Sequence, residues 1–205
     1  FVSHNMSAVL RLTEEAIVLD KGKLVFRAPT PEAIDYYMSA GFSDSGERIW
    51  NAEEIPAEAD PFRPIALRLR DGQGRVVDTL RSTDEGSIES EYRLERAITG
   101  LRVGLYLLTL RGEYVLTSFD TDDAKQYEQF SMRPAGHYLS RCTIPANLLN
   151  EGRYVLAVNA SAFRVKRYFW DDHALAFNVD GTGAPGKQWP EPRMGAVRPA
   201  LEWSI

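Results

Sequence analysis

The sequence predicts a mainly β protein, an antiparallel sandwich preceded by a short α/β piece. Two observations carry the sandwich. From Glu47 onward the pattern turns to period two, and eight or nine short strands follow at roughly regular spacing with turn signals between them. A third observation marks the α/β piece: helical spacing is concentrated in the first forty residues.

In chain order, Phe1 and Val2 read as the end of a strand, and Met6, Val9, Leu10 and Leu12 share one helical face. Ala16–Asp20 and Leu24–Phe26 read as strands around the turn Lys21-Gly22-Lys23, and Pro31–Ala40 as a helix. Gly41 to Gly46 is a breaker cluster, which sets the expected boundaries at residues 1–40, a linker at 41–46 and a main domain at 47–205. In that domain Ile65, Leu67 and Leu69 alternate with Ala66, Arg68 and Arg70. Asp71-Gly72-Gln73-Gly74 then signals a hairpin into Arg75–Leu80. Across Ser87–Leu94, Ile88, Tyr92 and Leu94 face opposite to Glu89, Glu91 and Arg93. Leu101–Leu110 is apolar on both faces, as a covered central strand would be. Tyr114–Phe119, Tyr138–Ile144, Arg153–Ala160 and the run through Leu175, Phe177 and Val179 follow as strands. Asp120–Gln129 reads as a long acidic loop, Pro145–Leu149 as one helical turn, Gly181–Pro192 as irregular, and Ala196–Trp203 as a last short strand.

Composition narrows the function. The 205 residues are 44% hydrophobic and 26% charged, ordinary for a soluble domain with a real core. A net charge of -5 argues against nucleic acid, which calls for a basic face. No apolar run reaches the roughly 18 residues a bilayer span needs, and no secretory signal is evident. Cys142 is the single cysteine, so no internal disulfide is expected and a reducing cytoplasm fits.

Val2-Ser3-His4-Asn5, then a helix, then Ile17-Val-Leu-Asp-Lys-Gly-Lys-Leu-Val25 resembles the closing segment of an ABC-transporter ATPase domain. The resemblance implies that His4 matches the switch histidine that meets the γ-phosphate; read from spacing alone, His4 is a surface residue ending a strand. Before it stand neither a glycine loop with its Lys nor an acidic residue for Mg²⁺. Gly181 to Lys187 has P-loop spacing, but Gln188 replaces the Ser or Thr that would hold Mg²⁺, and Trp189-Pro190 replaces the helix start. The stretch is therefore expected to be a fragment that hydrolyses nothing, with ATP and Mg²⁺ belonging to a full-length subunit.

Further on, Ile144–Ala160 (IPANLLNEGRYVLAVNA), Ala174–Thr182 (ALAFNVDGT) and Gly195–Trp203 (GAVRPALEW) occur in order. Over roughly residues 46–205 this resembles the C-terminal domain of the ATP-binding subunit of O-antigen polysaccharide ABC exporters, the Wzt type. The resemblance implies an immunoglobulin-like β-sandwich that recognises a lipid-linked cargo glycan, and a homodimer in which the last strand can be exchanged. It also implies a separate transmembrane exporter subunit and a cytoplasmic location at the inner face of the membrane. Teichoic-acid exporters share the layout. A dimerisation or scaffolding domain that touches no sugar is the alternative.

Carbohydrate sites combine aromatic faces with hydrogen-bonding side chains. Tyr106, in phase with Arg102 and Gly104, is such a face or a second-face core residue, and Gly104 leaves room for a ring to approach. Trp170-Asp171-Asp172-His173 offers a stacking surface, acceptors and an imidazole, or is a polar hairpin loop with a half-buried Trp. The expected carbohydrate-binding set is Tyr106, Trp170, Asp171, His173 and Arg102. No metal site is expected: the neighbours in Asp171-Asp172-His173 point to alternate sides, and Asp120–Asp123 lacks the Gly and distal Glu of a Ca²⁺ loop. Trp203 and Trp50 read as packing anchors. No catalytic triad or G-x-S-x-G elbow can be read, so no enzyme activity is expected of these residues.

Overall fold

The computed structural model describes residues 6–20, 22–39, 45–189 and 193–204. At the N-terminal side, α1 (Met6–Leu12) leads into a hairpin of β1 (Glu15–Asp20) and β2 (Lys23–Pro29), followed by α2 (Thr30–Ser39). The hairpin turns at Gly22, whose φ of 77° a side chain would resist. The Thr30 hydroxyl bonds the Thr13 carbonyl at 2.9 Å, and Thr13 Oγ1 donates to Val9 O at 2.7 Å, which ties the hairpin base to both helices. His4 and most of the expected linker lie outside the described residues.

The rest is a two-sheet sandwich of immunoglobulin-like kind, mainly β as expected. One sheet runs in the order β11 (Gly136–Ile144), β6 (Gly86–Leu94), β4 (Phe62–Asp71) and β3 (Glu47–Ile49). The other runs β5 (Thr79–Arg81), β13 (Lys166–Asp180), β12 (Gly152–Ala162), β8 (Leu101–Thr109) and β9 (Tyr114–Phe119). All their pairings are antiparallel except β5 with β13. The two-residue strands β7 (Ile98–Thr99) and β10 (Met132–Arg133) pair with each other beside the sandwich.

Alternation builds the core, interrupted on β4 by a bulge between Pro64 and Ala66. Phe62, Leu67, Leu69, Tyr92 and Leu94 from one sheet meet Leu101, Val103, Leu105, Leu156 and Phe177 from the other. The apolar residue on the second face of β8, Leu108, is also covered. It joins Val155 and Ala176 under Met6 and Ile34 of the N-terminal unit. That unit therefore occupies one end of the five-stranded sheet's outer face and leaves the other end open.

Four segments differ from the sequence expectation. Asp71 does make a turn, accepting from Gln73 N and Arg75 N, but its return arm is a single bridge, Arg70 to Val76. The chain then crosses to the other sheet as β5, because there Leu80 reaches the core at 4% exposure. Within Asp120–Gln129, the Asp123 carboxylate accepts from Lys125 N and Gln126 N and so caps a helix, α3 (Ala124–Gln129). Pro145–Leu149 holds a turn with Asn147 at φ 59° rather than a helical turn. The tail makes one bridge, Leu149 to Val197, instead of a strand.

Candidate functional site

On the open end of the five-stranded sheet, strand alternation sends Arg102, Gly104 and Tyr106 of β8 outward. The same face receives Asn159 and Ser161 of β12 and Trp170 of β13, because Asn159 is in register with both Gly104 and Trp170. The rings meet edge to face: Tyr106 lies 5.1 Å from Trp170, 6.0 Å from Phe119 and 6.0 Å from Tyr114. Asn159 Nδ2 donates to Tyr106 Oη at 3.2 Å and fixes that ring. Gly104 does make room for a ring, but the ring is Phe119. A Cβ at position 104 would come within 2.4 Å of it. Beside Tyr106 opens a hollow of about 380 Å³, walled by Arg102, Ser161, Phe163, Arg164 and Arg167 among others.

The structure thus brings Arg102, Tyr106 and Trp170 together and sends Asp171 and His173 elsewhere. Between Leu156 and Val158, β12 spends one residue while β13 spends three, Asp172 to Ala174, so the strand bulges. Asp171 turns its carboxylate to Trp50, accepting from Nε1 at 2.8 Å, while Trp50 packs edge to face on Phe169 at 5.4 Å. Trp50 is a buried anchor, as expected. His173 lies edge to face with Tyr37 of α2 at 6.5 Å, against the N-terminal unit, with Asp172 Oδ1 at 3.1 Å from its Nδ1. Sequence pattern passes over Asn159, Ser161, Phe119 and Phe163; the alternation of β12 was the available signal for the first two.

The outer face of the four-stranded sheet is chemically closed by comparison. Arg68 bridges Glu47 and Glu91, His137 Nε2 sits 2.9 Å from Glu91, and Glu89 is held between Arg70 and Arg141. Burial works against the Glu89 charge, yet the two guanidinium groups outweigh it and hold its carboxyl below the usual range. Hydrogen bonding from Arg68 does the same for Glu91.

A larger hollow, about 550 Å³, opens at the sandwich edge between β9 and β11. Most of its polar groups are engaged with one another, although the buried Arg133 Nε has no hydrogen-bond partner. Asp120 accepts from Val103 N at 2.9 Å, Arg133 Nη1 at 2.8 Å and Ser140 Oγ at 2.9 Å. Arg133, 2% exposed, also bonds Tyr92 Oη. Burial opposes the Arg133 charge, but Asp120 overrides it and raises its pKa. Asp122 accepts from Phe119 N, and Asp123 caps α3. Burial pushes the Cys142 thiol up, away from the reactive thiolate. Among the described residues no group of three His, Cys, Asp or Glu is placed to hold a metal ion. Lys187 of the P-loop-like stretch pairs with Glu151.

With a two-sheet sandwich and this topology in hand, the model of the Wzt C-terminal domain family matches residues 65–189. The chain belongs to the Wzt C-terminal domain family. A crystal structure of the C-terminal domain of wzt shares its fold at a TM-score of 0.57, with 13% identity over 71% of this chain and 84% of that one. Membership in the Wzt family is consistent with a domain of a polysaccharide ABC exporter. Two further structures align less well. The CARDB domain of the PF1109 protein from Pyrococcus furiosus, in complex with di-metal ions, gives 0.33 at 12% identity over 58% of this chain and 94% of that one. The PmoD soluble domain from Methylocystis sp. ATCC 49242 (Rockwell) gives 0.30 at 13% identity over 58% and 97%. Neither carries an argument. No curated protein matches the chain. No helix among the described residues is long and apolar enough to cross a membrane.

Proposed function

We propose that this Wzt-family chain recognises the cargo polysaccharide of an ABC exporter on the open outer face of its five-stranded sheet. One observation carries the reading. Arg102, Tyr106 and Trp170, up to 68 positions apart in sequence, converge beside a hollow of about 380 Å³. Aromatic edges and faces next to hydrogen-bonding groups suit a sugar, whose ring stacks while its hydroxyls are bound. The opposite sheet's outer face spends its charges on itself, which favours this face over that one. Asp171 and His173 serve the reading indirectly, by holding Trp170 on a fixed bulge. Binding, not catalysis, is the activity, and the cargo is lipid-linked and met at the cytoplasmic side of the membrane.

The bare hairpin supports the companion proposal that residues 1–40 close an ABC ATPase domain. Ile17, Leu19, Leu24 and Val25 are exposed on β1 and β2, as they would be where the remainder of such a domain packs. ATP and Mg²⁺ belong to that domain, and His4 takes the switch position. An export assay tests the main reading. Tyr106→Ala with Trp170→Ala in the full-length subunit abolishes surface display of the glycan at unchanged protein level; normal display would refute it.

The tail favours a second reading, dimerisation with exchange of the last segment. Leu201 is 68% and Trp203 86% exposed, so the residue expected to anchor the final strand packs on nothing described within its own chain. A partner copy would cover it. The two readings are compatible.

A further inference from the structure

The chain carries 29 Asp and Glu against 24 Lys and Arg, so cations gathered without acids need a reason. Arg102, Arg164, Lys166 and Arg167 all line the hollow beside Tyr106, and no carboxylate lines it. Among the described residues these four form no ion pair, whereas Arg27, Arg48, Arg63, Arg68, Arg70 and Arg133 each do. Rings flank all four, and Lys166 Nζ, 4.8 Å from the Tyr168 ring, also donates to Asp60 O at 3.0 Å. Arg102 lies between Phe119 at 4.3 Å and Phe163 at 4.9 Å, Arg164 over Phe163 at 5.1 Å, and Arg167 over Trp170 at 5.3 Å. A ring covers a guanidinium face and leaves the N–H edge, the part that binds oxyanions. Arg102 spends its edge only on a 3.5 Å contact to Ser161 Oγ.

A second, independent feature lies in the same wall. Asn159 is 6% exposed, and its Oδ1 has no hydrogen-bond partner while its Nδ2 is committed to Tyr106. A buried acceptor left alone is costly. A hydroxyl donor from a ligand would satisfy it.

We propose that this hollow takes an acidic sugar, its carboxylate or phosphate bound by Arg102, Arg164 and Arg167 and a neighbouring hydroxyl donated to Asn159. The proposal rests on the glycan reading above and adds the ligand's charge. Four like charges around one hollow repel each other, and an anion between them removes that repulsion while forming charge-assisted hydrogen bonds. Its affinity falls as salt rises, because exposed charges are screened.

Calorimetric titration of the whole chain tests it, using the source organism's surface polysaccharide as isolated, after carboxyl reduction, and after dephosphorylation. One of the two treatments lowers affinity by about tenfold or more, and which one identifies the anion. Arg164→Gln with Arg167→Gln, both exposed, weakens binding of the untreated glycan by a larger factor than binding of the neutralised one. Equal affinity for all three preparations overturns the acidic-sugar proposal and keeps the glycan reading. No binding of any preparation by a folded protein overturns both.

Discussion

Trp170 and Asp171 are adjacent in the chain and do different work. Trp170 packs against Tyr106 on the open face, while Asp171 accepts from Trp50 Nε1 at 2.8 Å beneath the sheet edge. Trp170→Ala therefore weakens glycan binding by about 1 kcal/mol, roughly five-fold, with little change in melting. Asp171→Ala does the reverse: it strands a Trp donor and costs about 1–3 kcal/mol of stability at unchanged affinity. Paired urea denaturation and glycan titration separate the two, and a binding loss in folded Asp171→Ala would return that carboxylate to the site. Arg133→Met is the severest case, about 3–5 kcal/mol in urea denaturation, because it leaves the Asp120 carboxylate beside a buried Tyr92 without its cation. The outward phase of Tyr106 was legible in the sequence because it could be counted against Arg102 and Gly104, whereas Trp170 stood out only by its polar neighbours. Asp171 was not legible, since its partner lies 121 positions away and no local pattern encodes that meeting. Gly104 shows the same limit: the space was legible, its occupant Phe119 was not.

Strands were legible where one face is buried, since a wrong register would expose the core. Ser87–Leu94 is the clearest example: Ile88, Tyr92 and Leu94 went in, and Glu89 and Glu91 went out to the ion ladder. Elements of two or three residues, β3, β5, β7 and β10, are too short to show a period. The ladder makes a pH prediction. Glu89 and Glu91 have folded pKa values lowered from 4.5, so they bind fewer protons folded than unfolded. Their stabilisation is complete above the ordinary carboxylate range and is lost as pH falls through the depressed folded values. Melting at pH 7 against pH 3 reads it. Glu89→Gln lowers stability by about 2 kcal/mol at pH 7, allowing for solvent around Arg141, and flattens the acid loss. An acid loss as steep as the wild type's would show that the ladder is not its source.

At the scale of the whole molecule, the two sheets divide their labour. One outer face pairs its charges internally; the other is covered at one end by α1 and α2 and carries rings and unpaired cations at the other. The tail adds an apolar segment that its own sandwich leaves exposed. On the proposed dimer reading, Leu201→Asp with Trp203→Asp yields a monomer in sedimentation velocity without unfolding the sandwich, and a dimer that persists in this variant would remove the tail from the interface. The sandwich was legible from repeated alternation, and the failure of the tail to form a strand was not, because a strand needs a partner the sequence does not name. The most direct test of the central claim is a tryptophan-fluorescence titration of the chain with the source organism's surface polysaccharide, with an unrelated glycan as control. The account predicts saturable, glycan-selective quenching that Tyr106→Ala or Trp170→Ala shifts to about five-fold higher glycan concentration. Selective quenching at unchanged affinity in both variants would contradict the assigned face, and no quenching or binding by the folded chain would contradict glycan recognition itself.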